Sequence, residues 1–152
     1  MSRAALAAAF QATSYRVETP EGIFSLRIGT PDPAFDAFLL RQAVAASPPA
    51  GVDQRAGDAA VGWSIVTAHN PGGQLGEDEN RLRQDRLRQR ILAAGWHFLP
   101  ACNVADLNTW PVEPSFLLWP AEEEQIRSLA ADFGQLAVVF GRTGSAPRLF
   151  WL

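Results

Sequence analysis

Lysine is absent from this chain, cysteine occurs once and histidine twice. Every basic side chain is an arginine, a compositional bias that we do not read as function. The lone Cys102 excludes an internal disulfide and any multi-cysteine zinc site, and it fits a reducing compartment, with the cytoplasm the simplest address. His69 and His97 lie far apart, and neither a His-x-x-x-His nor a Cys-x-x-Cys spacing occurs, so no metal is expected. No Gly-x-Gly-x-x-Gly or phosphate loop is present, so no cofactor is expected either. No apolar run approaches the roughly 20 residues that span a bilayer. The alanine-rich residues 1–10 give way to polar residues 11–15 without a cleavage signal, and residues 1–14 are expected as a short helix or as disordered chain. A formal charge of −3 argues against a broad surface for nucleic acid.

What is present is a chain of 152 residues, 47% hydrophobic and 19% charged, which is expected to form one domain over residues 1–152. Residues 15–18 and 23–28 flank Thr19-Pro20-Glu21-Gly22, a turn sequence that predicts a hairpin. Asp32 before Pro33 reads as an N-cap followed by a first-turn proline, with Phe35, Phe38 and Leu39 on the apolar face that follows. Residues 47–60 have no periodicity and read as a surface loop. Residues 63–67 then read as a strand, ended by Asn70-Pro71-Gly72-Gly73.

A helix is expected from near Asp78 to Gly95, with Leu82, Leu87, Ile91 and Ala94 inward. Its arginines, from Arg81 to Arg90, are interleaved with Glu77, Asp78, Glu79 and Asp85, the pattern of a solvated, ion-paired face. Strands follow at 96–104 and 114–119, and Pro120 with Glu122, Glu123 and Glu124 opens another helix, closed by Gly134. Residues 136–140 and 148–152 complete the strands. This order predicts an α+β fold with a ferredoxin-like βαββαβ core and a mainly antiparallel sheet with helices on one face. An N-terminal hairpin and a C-terminal strand extend it.

The runs Thr67-Ala68-His69-Asn70-Pro71, Glu79-Asn80 with Arg83 and Leu87, Trp110 with Glu113-Pro114-Ser115, and Phe133-Gly134-Gln135 before Ala137-Val138-Val139 occur in that order. Together they resemble the bacterial DUF3293 family over residues 15–140. The chain departs from that pattern in carrying His69 where an aromatic residue is expected, and Val112 between Pro111 and Glu113. The resemblance implies no activity, substrate or cofactor.

With the first core strand running up, the predicted order brings Asn70, Asn80, Trp110, Glu113, Ser115 and Gln135 to one end of the sheet. Amides, a hydroxyl, a carboxylate and an aromatic face can together hold a small polar ligand, and Arg83 can add a fork for an anion beside the helix N–H groups near Asn80. Arg83 is also the expected partner of Glu113, since a carboxylate leading an apolar strand needs one. Three functions follow. The first is a binding module for a small polar molecule or peptide end. The second is a hydrolase- or transferase-type enzyme with Glu113 as general acid or base. The third is a protein-interaction domain, a homodimer included, working through Leu149-Phe150-Trp151-Leu152, with the polar cluster structural. The competing structural reading of Asn70, Asn80 and Gln135 is that they cap and turn the backbone.

Overall fold

The computed structural model describes residues 2–45, 60–71 and 74–152. The described residues contain helices α1 (Arg3–Gln11), α2 (Pro33–Ala45), α3 (Glu77–Ala94) and α4 (Glu123–Asp132). They contain strands β1 (Thr13–Thr19), β2 (Gly22–Leu26), β3 (Gly62–Val66), β4 (His97–Ala105), β5 (Glu113–Trp119), β6 (Ala137–Arg142) and β7 (Arg148–Trp151). The loop expected at residues 47–60 lies, except for Ala60, outside the described residues. All the strands form one antiparallel sheet in the order β2-β1-β4-β5-β3-β6-β7, so the N-terminal hairpin extends one side and the C-terminal strand the other.

Local chemistry sets the boundaries. Thr19 Oγ1 donates to Gly22 O at 2.7 Å across the β1–β2 turn, where Gly22 takes a φ of 115° that a side chain would oppose. Asp32 Oδ1 accepts from Phe35 N at 3.0 Å, the N-cap expected ahead of Pro33. Gly95, at φ 79°, ends α3 in the left-handed conformation.

The helices cover both faces of the sheet, which corrects the expectation of one. Phe35, Phe38 and Leu39 of α2 pack with Trp63, Ile65, Leu117 and Val139. Leu87 and Ile91 of α3 pack with Ile126 and Leu129 of α4 against Val66, Leu118, Val138 and Phe140 on the other side. Adjacent residues such as Leu117 and Leu118 therefore enter different cores, as strand alternation requires. Burying each of these large side chains contributes about 1.5–3 kcal/mol.

Trp63 is almost fully buried and meets Phe35 edge-on, with ring centroids 5.2 Å apart. Its indole lies against the bare Cα of Gly141, where a Cβ would come within 2.4 Å of it. The terminal strand is a core edge: Phe150 is buried, and the Arg3 guanidinium sits 4.3 Å from the centre of the Trp151 ring. No helix of the described residues is long and apolar enough to cross a membrane.

Because neighbouring strands alternate in direction, β3 and β4 end where β1, β5 and β6 begin. That end of the sheet holds the loop after β3, the start of β5 and the approach to β6, as the predicted order requires.

Candidate functional site

The inward stripe of α3 consists of Asn80, Gln84, Leu87 and Ile91. Leu82 is 52% exposed and Ala94 is exposed, so the expected apolar stripe is corrected in its first turns and at its end. Polar residues occupy those first turns because they face loop backbone, whose N–H and C=O groups need partners once buried. Gln84 Oε1 accepts from Ala68 N at 2.9 Å, and Asn80 Oδ1 accepts from Asn70 N at 3.0 Å. Asn80 Nδ2 donates to Asn70 Oδ1 at 2.9 Å, and Leu75 N donates to the same oxygen, also at 2.9 Å. Asn70 itself has a φ of 49°, a conformation that asparagine tolerates better than most residues. Asn80 thus clamps the loop that carries Asn70.

Arg83 does not meet Glu113. Its Nε donates to Ala68 O at 2.9 Å and a terminal nitrogen donates to Phe133 O, so it stitches the β3–α3 loop to the C-terminal end of α4. Two main-chain acceptors are better aligned with its fork than a carboxylate on the other face of the sheet. The Asn80 N–H itself donates to Gly76 O inside the helix, while no side chain caps the first turn of α3 ahead of it.

Glu113 instead takes Asn70 as its partner: Asn70 Nδ2 donates to Glu113 Oε1 at 2.7 Å. Among the described residues Oε2 has no protein donor. Burial raises the carboxyl above its ordinary pKa, and the Asn70 hydrogen bond offsets this only in part.

Strand register adds two residues that sequence reasoning missed. Tyr15 faces Asn103, and Asn103 faces Glu113, so the three form a row on one face. Asn103 stands between Ala101 and Ala105 on the inward side of β4, a polar break in an apolar alternation that was the available signal. Ser115 Oγ donates to Asn103 Oδ1 at 2.8 Å and is itself buried. Burial holds the Tyr15 phenol far above its ordinary pKa, and its O–H donates to Phe10 O at 3.1 Å. Gln135 Nε2 donates to His69 O at 3.1 Å.

This row forms the floor of a cavity of 480 Å³ roofed by α1. Asn70, Trp110, Glu113 and Gln135 line it, as do Tyr15 and Asn103, whereas Asn80, Arg83 and Ser115 stand behind its wall. The rest of the lining is mostly apolar, including Leu6, Phe10, Pro111 and Leu136. The segment expected as a short helix or as disordered chain contains α1, and that helix is anchored.

Each of its last carbonyls finds a donor: Thr13 Oγ1 on Ala9 O, Tyr15 Oη on Phe10 O, Arg27 on Gln11 O and Asp106 N on Ala12 O. Arg27 in turn holds both oxygens of Asp106, at 3.0 and 2.7 Å. Yet no residue of α1 is fully buried. The helix is anchored at the rim and spans a space that its own side chains do not fill. Among the described residues, no three His, Cys, Asp or Glu side chains come together as a metal would require.

Residues 66–138 match the model of DUF3293, described as a protein of unknown function. This is the family that the motifs indicated, matched over a narrower stretch than the one read from the residues. The matched segment contains Asn70, Asn80, Arg83, Trp110, Glu113, Ser115 and Gln135, while Tyr15 and the roof helix lie outside it. No curated protein and no solved structure matches the chain.

Proposed function

We propose that this protein is a binding module that holds a small molecule with a polar head in the cavity beneath α1. The observation that carries this reading is Glu113, a largely buried carboxylate with one oxygen held by Asn70 and the other without a protein donor, on the floor of a 480 Å³ cavity. Burying a carboxylate without full hydrogen bonding is costly, and a ligand that completes its shell offsets that cost. The volume lies within the roughly 300–1,000 Å³ of small-molecule sites, and the mix of mainly apolar walls with a few convergent polar groups is typical of them. The strand order β4-β5-β3-β6, with α3 and α4 on one face, supports reading the central part as a ferredoxin-like core. On that reading the roof helix, hairpin and α2 are additions that close the opposite face.

Catalysis with Glu113 as general acid or base is the second reading, favoured by the raised pKa of that carboxyl. It has fewer supports, since among the described residues no serine, cysteine or histidine lines the cavity beside Glu113. An interaction role for β7 rests on its place at the edge of the sheet among the described strands.

Native mass spectrometry of protein purified gently from its host tests the first reading. A small adduct on the wild type that is lost in Glu113→Gln is the expected result. A bare mass in both forms would overturn it.

A further inference from the structure

We infer that the cavity selects an organic cation, a primary ammonium on an apolar body, with Glu113 as the counter-ion. The inference rests on the binding reading above and names the ligand class. Among the described residues Glu113 is the only aspartate, glutamate, histidine or arginine that lines the cavity. The nearby arginines are committed elsewhere, Arg83 to the carbonyls of Ala68 and Phe133 and Arg27 to Asp106 and Gln11 O. A ligand anion would therefore meet an unopposed carboxylate, and like charges repel.

The hydrogen-bonding inventory favours a donor-rich head. Glu113 Oε2 is an open acceptor. Gln135 uses its amide nitrogen on His69 O, which leaves its carbonyl oxygen open. Tyr15 uses its proton on Phe10 O, and its oxygen also has the Thr13 hydroxyl as a hydrogen-bonding neighbour. Asn103 accepts from Ser115 and keeps an amide donor, and the Gln74 amide and the Trp110 indole N–H are further donors in the lining. An ammonium has three donors and no acceptor, so Glu113 Oε2 and the Gln135 carbonyl oxygen can each take one of its protons.

Phe10, Tyr15 and Trp110 contribute aromatic faces to the same cavity, surfaces that attract a cation and accept an apolar body equally well. Two of the lining side chains are themselves exposed, Trp110 by 49% and Leu136 by 55%, so the body can extend outward along apolar surface.

Isothermal titration calorimetry with three probes that share one ring system separates charge from shape: tryptamine as the cation, indolepropionate as the anion and tryptophol as the neutral form. Tryptamine is expected to bind at least about tenfold more tightly than either counterpart, with that preference lost in Glu113→Gln. A second variant, Ala9→Phe, fills the cavity from the exposed roof helix, leaves Glu113 in place and is expected to abolish binding. Equal binding of all three probes, or a preference for the anion, would overturn the cation inference and leave the pocket reading standing. Silence from all three in the wild type would overturn both.

Discussion

Asn70 and Glu113 are joined by a 2.7 Å hydrogen bond across the mouth of the sheet, and the same asparagine side chain accepts from Leu75 N and from Asn80 Nδ2. One residue thus fixes a loop with its oxygen and orients the carboxylate with its nitrogen. The site and the β3–α3 connection therefore share a part, and that coupling makes the roles of Asn70 separable by experiment.

Asn70→Ala removes three hydrogen bonds and leaves alanine at a positive φ. The expected loss is about 2–4 kcal/mol, made up of unsatisfied polar groups and about 1 kcal/mol of backbone strain. Asn70→Gly loses the same hydrogen bonds without that strain, so it should be the milder variant by roughly 1 kcal/mol in urea denaturation. Equal stabilities for the two would show that the positive φ carries no cost here.

Glu113 should cost the protein stability in neutral solution. Burial raises the folded-state pKa of its carboxyl above the unfolded value, so folding favours the protonated form. The resulting stabilisation is complete below the ordinary carboxylate range and is lost as pH rises through the raised folded value. Glu113→Gln keeps an oxygen for Asn70 Nδ2 and never ionises. The variant should therefore be more stable than the wild type at neutral pH, with the advantage fading in acid. A pH-independent difference would argue that the carboxylate is not desolvated. A binding residue that destabilises the free protein also fits the usual exchange of stability for function.

The elements could be read from the sequence because their signals are local. The Asp32-Pro33 start of α2, the Gly95 and Gly134 stops and the turn at Thr19–Gly22 each act within a few residues. Element order then sufficed to bring Asn70, Trp110, Glu113 and Gln135 to one end of the sheet. The side of the sheet on which α2 packs could not be read in this way, because an amphipathic stripe shows that a helix buries a face and not which sheet face receives it. Nor could the partner of Glu113: Arg83 is near in sequence pattern but sits across the sheet, with carbonyls in reach. Tyr15 and Asn103 join the site only through register, and register depends on pairings between strands distant in sequence.

The polar stripe of α3 gives a third test. Asn80→Ala and Gln84→Ala each strip a partner from buried loop backbone, Asn70 N and Ala68 N respectively, and are expected to cost about 1–3 kcal/mol. Leu82→Ala lies on the exposed side and should change stability by less than about 0.5 kcal/mol. Chemical denaturation of the three variants checks this reversal of the usual ranking of leucine over asparagine. A large loss from Leu82→Ala would mean that α3 is rotated about its axis.

Gly141 tests the packing beneath the site. A methyl group there would come within 2.4 Å of the Trp63 indole, whereas the Cβ of an alanine at Gly144 would meet nothing within 4 Å. Gly144 has a φ of 89°, so Gly144→Ala pays only for the backbone, about 1 kcal/mol. Gly141→Ala forces a fully buried tryptophan to move in a core that also holds Phe35, and overpacking of this kind costs about 1–3 kcal/mol. If crowding against Trp63 is the cause, the two positions must couple. Trp63→Phe vacates the part of the ring nearest Gly141, so the double variant Trp63→Phe/Gly141→Ala should lose less stability than the sum of the two single changes, by at least about 0.5 kcal/mol. Strict additivity in a denaturation cycle would place the strain elsewhere. Because Ile65 and Val139 share this core and lead directly to the Asn70 loop and the approach to Gln135, loosening it should also weaken probe binding above, without any change in the residues that line the cavity.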